Sequence, residues 1–183
     1  MPIYARPFEP GQLQFITTST YRRAQVFDSH RFCWMFVEAL RELRRETDSL
    51  LIGWVLMPEH FHVLIKPEPA ESTSRWMQEL KKRTAQRIIT ALVENRSCLW
   101  CRRMLAWLRL PSTVHSDSHY RVWQRRFVPF KVYTEKKRIE KLDYMHNNPA
   151  KRRLVSSPDQ CPWSSFRFYY LGDSSVLTMD RLT

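Results

Sequence analysis

The sequence predicts an α+β fold, a ferredoxin-like βαββαβ sandwich with an antiparallel-rich sheet. Three observations carry that expectation. Apolar segments alternate in period along the chain, in the order strand, helix, strand, strand, helix, strand, helix. The second and third strand segments are separated only by Pro58 and Glu59, which reads as a hairpin and hence an antiparallel pair. The chain has 183 residues, of which 43% are hydrophobic and 13% aromatic. Residues 1–183 therefore read as one packed domain, with too much apolar content for disorder.

Gln12 to Thr20 is β-rich and partly alternating, and reads as the first strand. Tyr21, Arg22 and Arg23 follow as a basic loop carrying an aromatic ring. Phe32, Met35, Phe36, Ala39, Leu40 and Leu43 recur at helical spacing, which predicts an amphipathic helix over 29–47 with Asp28 as its N-cap. Leu50–Met57 and His60–Lys66 are the two hairpin strands. Ser72 to Asn95 reads as a helix capped near Ser72 or Thr73. Its apolar stripe is Trp76, Leu80, Ile88, Ala91 and Leu92, and Lys81, Lys82, Arg83 and Arg87 decorate the remaining surface.

Residues 96–119 hold Cys98, Cys101, two tryptophans and Pro111, fit no clear period, and are expected to form an insertion or lid loop. Val122 to Tyr133 returns to strand character. Thr134 caps a helix through about Asn147, with Ile139 and Leu142 facing inward, and Pro149 disfavours helix at the residue before it. A C-terminal tail begins near residue 156. The hairpin argues for helices gathered on one face of the sheet.

Charge narrows the function. Lys plus Arg number 30 against 18 Asp plus Glu, a net +12, and the pI is near 10.0. A domain this basic suggests a polyanionic partner, usually nucleic acid. An anionic membrane surface is the rival, but no apolar run approaches the ~20 residues of a spanning helix. Met1 to Pro10 lacks the apolar core of a signal peptide, so a cytoplasmic location is expected. Four cysteines do not make a disulfide framework, and three glycines exclude Gly-rich phosphate loops.

His60 and His62 stand two apart on a strand, so both side chains share one face while Phe61 points to the other. Two adjacent imidazoles can bind a divalent metal if at least one more ligand joins them; otherwise they are ordinary strand histidines. Tyr144 and Asn148 are four apart and share a helix face, with Tyr144 on the polar side. Tyr120 to Arg153 contains 11 Lys plus Arg against 3 Asp plus Glu. Tyr120, Trp123, Phe127, Phe130 and Tyr133 interleave with those charges. Cations for phosphates and rings for unpaired bases are what single-strand binding requires, and a solvated basic face over core aromatics is the alternative. Cys98-x-x-Cys101 has no second pair at zinc-finger spacing. His115 and His119 could complete a site, but reduced, non-ligating thiols are expected.

Three segments together resemble the REP-associated tyrosine transposases, a branch of the HUH single-strand DNA transposases. They are WVLMPEHFHVLIKP (Trp54–Pro67), WQRRFVPFKV (Trp123–Val132) and DYMHNNPAKRRLV (Asp143–Val155). PWSSFRFYY (Pro162–Tyr170) is similar to that family's C-terminal tryptophan-serine segment. The resemblance implies an HUH endonuclease and transposase fold, with His60-Phe61-His62 as the HUH motif and Tyr144 as the catalytic tyrosine. Asn148 would complete a metal site for Mg2+ or Mn2+. It further implies cleavage and rejoining of single-stranded DNA near hairpins through a 5′-phosphotyrosine intermediate, without ATP.

The residues expected to face DNA are Arg22, Arg23, Lys81, Lys82, Arg121, Trp123, Arg125, Arg126, Lys131, Lys141, Lys151, Arg152 and Arg153. The chain would act as a monomer or a homodimer, a monomer sufficing if Tyr144 reaches the metal of its own chain. A non-catalytic, host-adopted hairpin DNA- or RNA-binding protein is the alternative. The stretch 96–119 is longer than the connection in compact members. Ala150 and Arg153 stand where valine and a small residue are commoner.

Overall fold

The computed structural model describes residues 11–68, 72–113 and 119–182. Residues 1–10 and His115 of the sequence reading lie outside the described residues. The elements are β1 (Gln14–Ser19), α1 (His30–Thr47), β2 (Leu50–Met57), β3 (His60–Lys66), α2 (Thr73–Glu94), α3 (Leu99–Leu108), β4 (Val128–Lys131), α4 (Glu135–Lys151) and α5 (Phe166–Leu171). One sheet runs in the order β2-β3-β1-β4, and every pairing is antiparallel. This is the ferredoxin-like order that the sequence predicts.

Period two divides β1, β2 and β3 between two cores, with a register irregularity in β2 between Leu51 and Gly53. Ile16, Leu51, Trp54, Leu56, Phe61, Val63 and Ile65 join the buried stripes of α1 and α2. Phe15, Ile52, Val55, Met57 and Leu64 face the other way and meet Met145 and Leu142 of α4. The helices therefore occupy both faces, not one. With α1 and α2 filling the first face, the apolar residues of the second would stand in water unless α4 covered them. Arg83 and Arg87 are not simple surface decoration, because they tie α2 to Glu46 and Glu42 of α1 at 2.5 and 2.6 Å.

Several local features differ from the sequence reading. Ser29, not Asp28, occupies the N-cap of α1. Ser72 does cap α2, accepting from Arg75 N, and Thr134 caps α4, accepting from Lys137 N. Pro149 lies inside α4, within its last turn, where a missing N–H removes a single helical bond. Ile139 is half exposed, and only Leu142 of the expected inward pair packs on the sheet. Regular β4 is confined to four residues. Residues 96–119 are not all loop, since α3 packs Cys101, Leu105 and Leu108 into the first core.

The tail closes the exposed edge of β2, as edge strands require. Leu56 N donates to Trp163 O at 2.8 Å, Ser165 N to Trp54 O at 2.9 Å and Asp180 N to Leu51 O at 2.8 Å. Gly53 lets α4 approach this strand. A Cβ there would lie 2.6 Å from Leu142 Cδ2 and 3.3 Å from Met145 Sδ. Gly53→Val is therefore expected to destabilise the fold by about 1–3 kcal/mol through overpacking. A denaturant midpoint equal to wild type would show that α4 is not seated this closely.

His146 anchors α4 to the tail through a 2.8 Å bond between its Nε2 and Ser165 Oγ. Its Nδ1 is buried without a partner among the described residues. Burial pushes its pKa down from 6.5 to about 4. The unfolded chain therefore binds this proton first as pH falls. Stability held above about pH 6.5 is expected to decline by a few kcal/mol on the way to pH 4. Urea unfolding at pH 7 and pH 4.5 checks this, and a His146→Leu variant should show a shallower decline.

Candidate active site

His60 opens β3 just after the Pro58-Glu59 turn, and His62 follows on the same face. Both are buried, at 6% and 3% exposure, and their ring centroids are 4.9 Å apart. Each ring is held through Nδ1. Glu59 Oε1 lies 3.1 Å from His60 Nδ1, and Thr17 Oγ1 lies 2.7 Å from His62 Nδ1. Thr17 reaches it because β1 pairs with β3 in the register that sets Thr17 against His62.

The shorter contact at each Nδ1 favours a proton there, although Arg152 Nη1 also lies 3.4 Å from His60 Nδ1. An ionised carboxylate only accepts, so the 3.1 Å contact with Glu59 favours a proton on His60 Nδ1. Asn148 Nδ2 donates to His62 Nε2 at 2.9 Å, so the His62 proton also sits on Nδ1, facing Thr17. His60 thus keeps its lone pair on Nε2, the form that ligates metals, whereas the Nε2 lone pair of His62 accepts the Asn148 N–H. Burial, joined by the charges of His60, Lys141 and Arg152, pushes the His62 pKa down to about 3. Burial also lowers that of His60, against the opposing pull of Glu59. Both rings are therefore neutral at neutral pH.

Glu59 is the hub behind the pair. It receives Arg152 Nη1 at 2.5 Å and Arg23 Nη2 at 3.0 Å on the oxygen that holds His60. Burial works to raise its pKa, but the Arg152 hydrogen bond and the charges of His60 and Arg152 outweigh it and keep the carboxyl below its ordinary value.

Tyr144 and Asn148 come from α4 on the second face of the sheet. The Tyr144 ring meets His62 edge-on at 5.5 Å and Phe15 at 6.0 Å, and it is 46% exposed. Asn148, one turn on, is buried at 9%. Lys141 Nζ stands 5.9 Å from the Tyr144 ring centroid and 4.3 Å from that of Phe130. Two imidazoles, an amide and a half-exposed phenol thus converge within one chain. By donor chemistry, two imidazoles and an amide oxygen are groups that can ligate a divalent cation. Among the described residues no cluster of three His, Cys, Asp or Glu side chains is arranged for a metal, so the Asn148 amide is needed to complete the set.

A family model described as "Transposase IS200 like" matches residues 10–109. The chain belongs to the IS200-like transposase family. The match includes the histidine pair and stops before Tyr144. The chain is also similar to the REP-associated tyrosine transposase of Escherichia coli K12, at 24% identity over 169 residues, covering 91% of this chain and 83% of the relative. Its fold matches a solved REP-associated tyrosine transposase bound to a REP hairpin. The TM-score is 0.66 at 22% identity, covering 100% of this chain and 99% of the other. The resemblance read from the motifs is thereby borne out.

The basic residues of this family member are spread unevenly around the site. Lys141 and Arg152 touch it directly, and Arg23 reaches it through Glu59. Arg22 and Arg121 bracket the Tyr21 ring at 5.0 and 5.5 Å. Arg22 and Arg23 both adopt left-handed backbone, with φ of 53° and 51°, a conformation uncommon for side-chain-bearing residues. Lys82, Arg125, Arg126, Lys151 and Arg153 are exposed and Lys131 is half-buried.

One member of the expected DNA surface needs correction. Trp123 is 4% exposed and packs on Phe27, Phe36 and Phe61, so its ring belongs to the core and is closed to bases. Lys81 is half-buried and donates to the backbone carbonyls of Gln124 and Arg125. Burial lowers its pKa to about 8, so it braces the segment before β4. Of the interleaved aromatics, Phe130 and Tyr133 are exposed. Glu59, Thr17 and Phe15 were missing from the sequence reading. Adjacency to His60 hints at Glu59, whereas Thr17 and Phe15 need the strand register.

No described helix is long and apolar enough to cross a membrane.

Proposed function

We propose that this chain is a metal-dependent single-stranded DNA endonuclease and strand transferase that uses Tyr144 as its nucleophile. The observation that carries this reading is the meeting of His62, Asn148 and Tyr144 in one chain, with Asn148 2.9 Å from His62 and the tyrosine ring 5.5 Å from it. The hairpin bound to the structural relative supports a hairpin-bearing DNA strand as the partner.

His60 and His62 would hold Mg2+ or Mn2+ through their Nε2 atoms, and Asn148 through its amide oxygen once the amide turns its Nδ2 away from His62 Nε2. When bound, the cation supplies positive charge at the scissile phosphate. The Tyr144 oxygen attacks phosphorus as it gives up its proton, and the bond to the 3′ oxygen breaks. That oxygen leaves with the electron pair and is protonated to a free 3′-OH, while the 5′ side stays on the protein as phosphotyrosine. The covalent link conserves the phosphodiester for rejoining, so no external energy source is needed. Lys141 offers charge compensation beside the ring. Lys151 and Arg153 would hold flanking phosphates, which position a strand without reading its sequence. Because one chain supplies every group, a monomer suffices.

The test is to incubate the protein with Mn2+ or Mg2+ and a labelled hairpin oligonucleotide carrying single-stranded arms. A protein–DNA adduct stable to denaturation is expected. Metal-independent binding with no cleavage under any divalent ion would instead establish the non-catalytic alternative. Cleavage without an adduct would point to attack by water.

A further inference from the structure

We propose that α3 and the turn after β1 form a pocket for one unpaired base of a DNA strand, beside the histidine site. The inference rests on the single-stranded DNA reading above and gives that strand a particular seat. It also gives a task to residues 96–119, which the proposed chemistry does not use.

Helix α3 has two stripes. Cys101, Leu105 and Leu108 are buried against the first core. Trp100, Arg103 and Trp107 recur at i, i+3 and i+7, and so share another face. That face lines a cavity of about 370 Å3 together with Met104 and with Arg23 and Asp28 from the segment after β1. The size falls within the range of about 300–1,000 Å3 common for small-ligand sites. Trp100 and Trp107 remain 38% and 54% exposed, and Trp100 is steadied by Phe32 at 5.7 Å between ring centroids.

Two open indoles flanked by two guanidinium groups match a nucleotide. The rings offer stacking faces to a base. The arginines offer paired N–H donors to its phosphate, and the Asp28 carboxylate offers an acceptor for base N–H groups. An acidic peptide could use the arginines but would leave the indoles idle. The net charge of +12 favours the polyanion.

The pocket is also connected to the site. Arg23 lines it and donates to Glu59 Oε1 at 3.0 Å, the oxygen that lies 3.1 Å from His60 Nδ1. A base seated between the tryptophans would therefore place its neighbouring phosphates along a single guanidinium leading to His60.

Fluorescence anisotropy can test this, using a thymidine oligonucleotide of about 20 residues and an abasic phosphodiester chain of equal length. The wild-type protein is expected to bind the thymidine strand about tenfold more tightly than the abasic one. Trp107→Ala should erase most of that preference and Trp107→Phe should keep it, with circular dichroism confirming both variants folded. A 5-iodouracil strand should crosslink to the peptide carrying Trp107. Unchanged thymidine affinity in Trp107→Ala, or a crosslink elsewhere, overturns the pocket even while the hairpin adduct still forms. If the wild-type protein binds neither strand nor the armed hairpin, the DNA reading itself fails and the pocket falls with it.

Discussion

Tyr144→Phe is expected to abolish the covalent protein–DNA adduct while leaving hairpin binding within about twofold of wild type. The substitution removes one oxygen and keeps the ring. That ring makes edge contacts with His62 and Phe15, which phenylalanine reproduces, and it is half exposed, so the fold has little to lose. What disappears is the only atom proposed to attack phosphorus. Losing a nucleophile outright lowers turnover by roughly 10^4-fold or more. The readout is a denaturing gel of end-labelled hairpin DNA. A full-strength adduct in the variant would eliminate Tyr144 as the nucleophile.

His62→Ala is expected to have the second largest effect, on both cleavage and stability. His62 is the centre of the site: Thr17 and Asn148 bond its two nitrogens, and Phe15 stacks on it at 5.3 Å. The variant leaves the buried Asn148 amide without its partner and opens a cavity. A stability loss of about 1–3 kcal/mol follows. Cleavage should vanish with either Mg2+ or Mn2+, and calorimetric titration should show Mn2+ affinity lost. DNA binding should persist, because the phosphate contacts come from other residues. Wild-type cleavage in His62→Ala would sever the histidine pair from the chemistry. Asn148→Ala separates the effects, since it keeps both imidazoles and removes only the amide. It should weaken Mn2+ binding less than His62→Ala does.

Local period brings each half of the candidate site together, but only the resemblance of the motifs marks these pairs as more than strand histidines and a surface tyrosine. Two residues along a strand return to the same face, which puts His60 beside His62. Four residues along a helix do the same for Tyr144 and Asn148. The hairpin was legible from a two-residue break between apolar runs. Caps were less so: Asp28 is the expected N-cap of α1, and the backbone places the cap one residue later, at Ser29. Trp123 was misread because a basic, aromatic stretch looks alike whether its rings face water or the core. Its indole is enclosed by Phe27, Phe36 and Phe61, residues distant in the sequence. The bonds of Lys81 to carbonyls were not legible, since those partners lie some forty residues later.

The sequence by itself determined the order of the four strands and of α1, α2 and α4, the strongly basic charge, the pairing of each functional residue with its near neighbour and the resemblance of its motifs to a transposase family, whereas α3 and α5 were not read from it. Only the tertiary structure decided that the two pairs meet. That meeting required β1 to lie between β3 and β4, and α4 to cross the face that α1 and α2 leave open. The physical reason is range. Periodicity is a property of neighbouring residues, whereas the face a helix covers depends on which apolar surface remains exposed once the rest of the chain has packed.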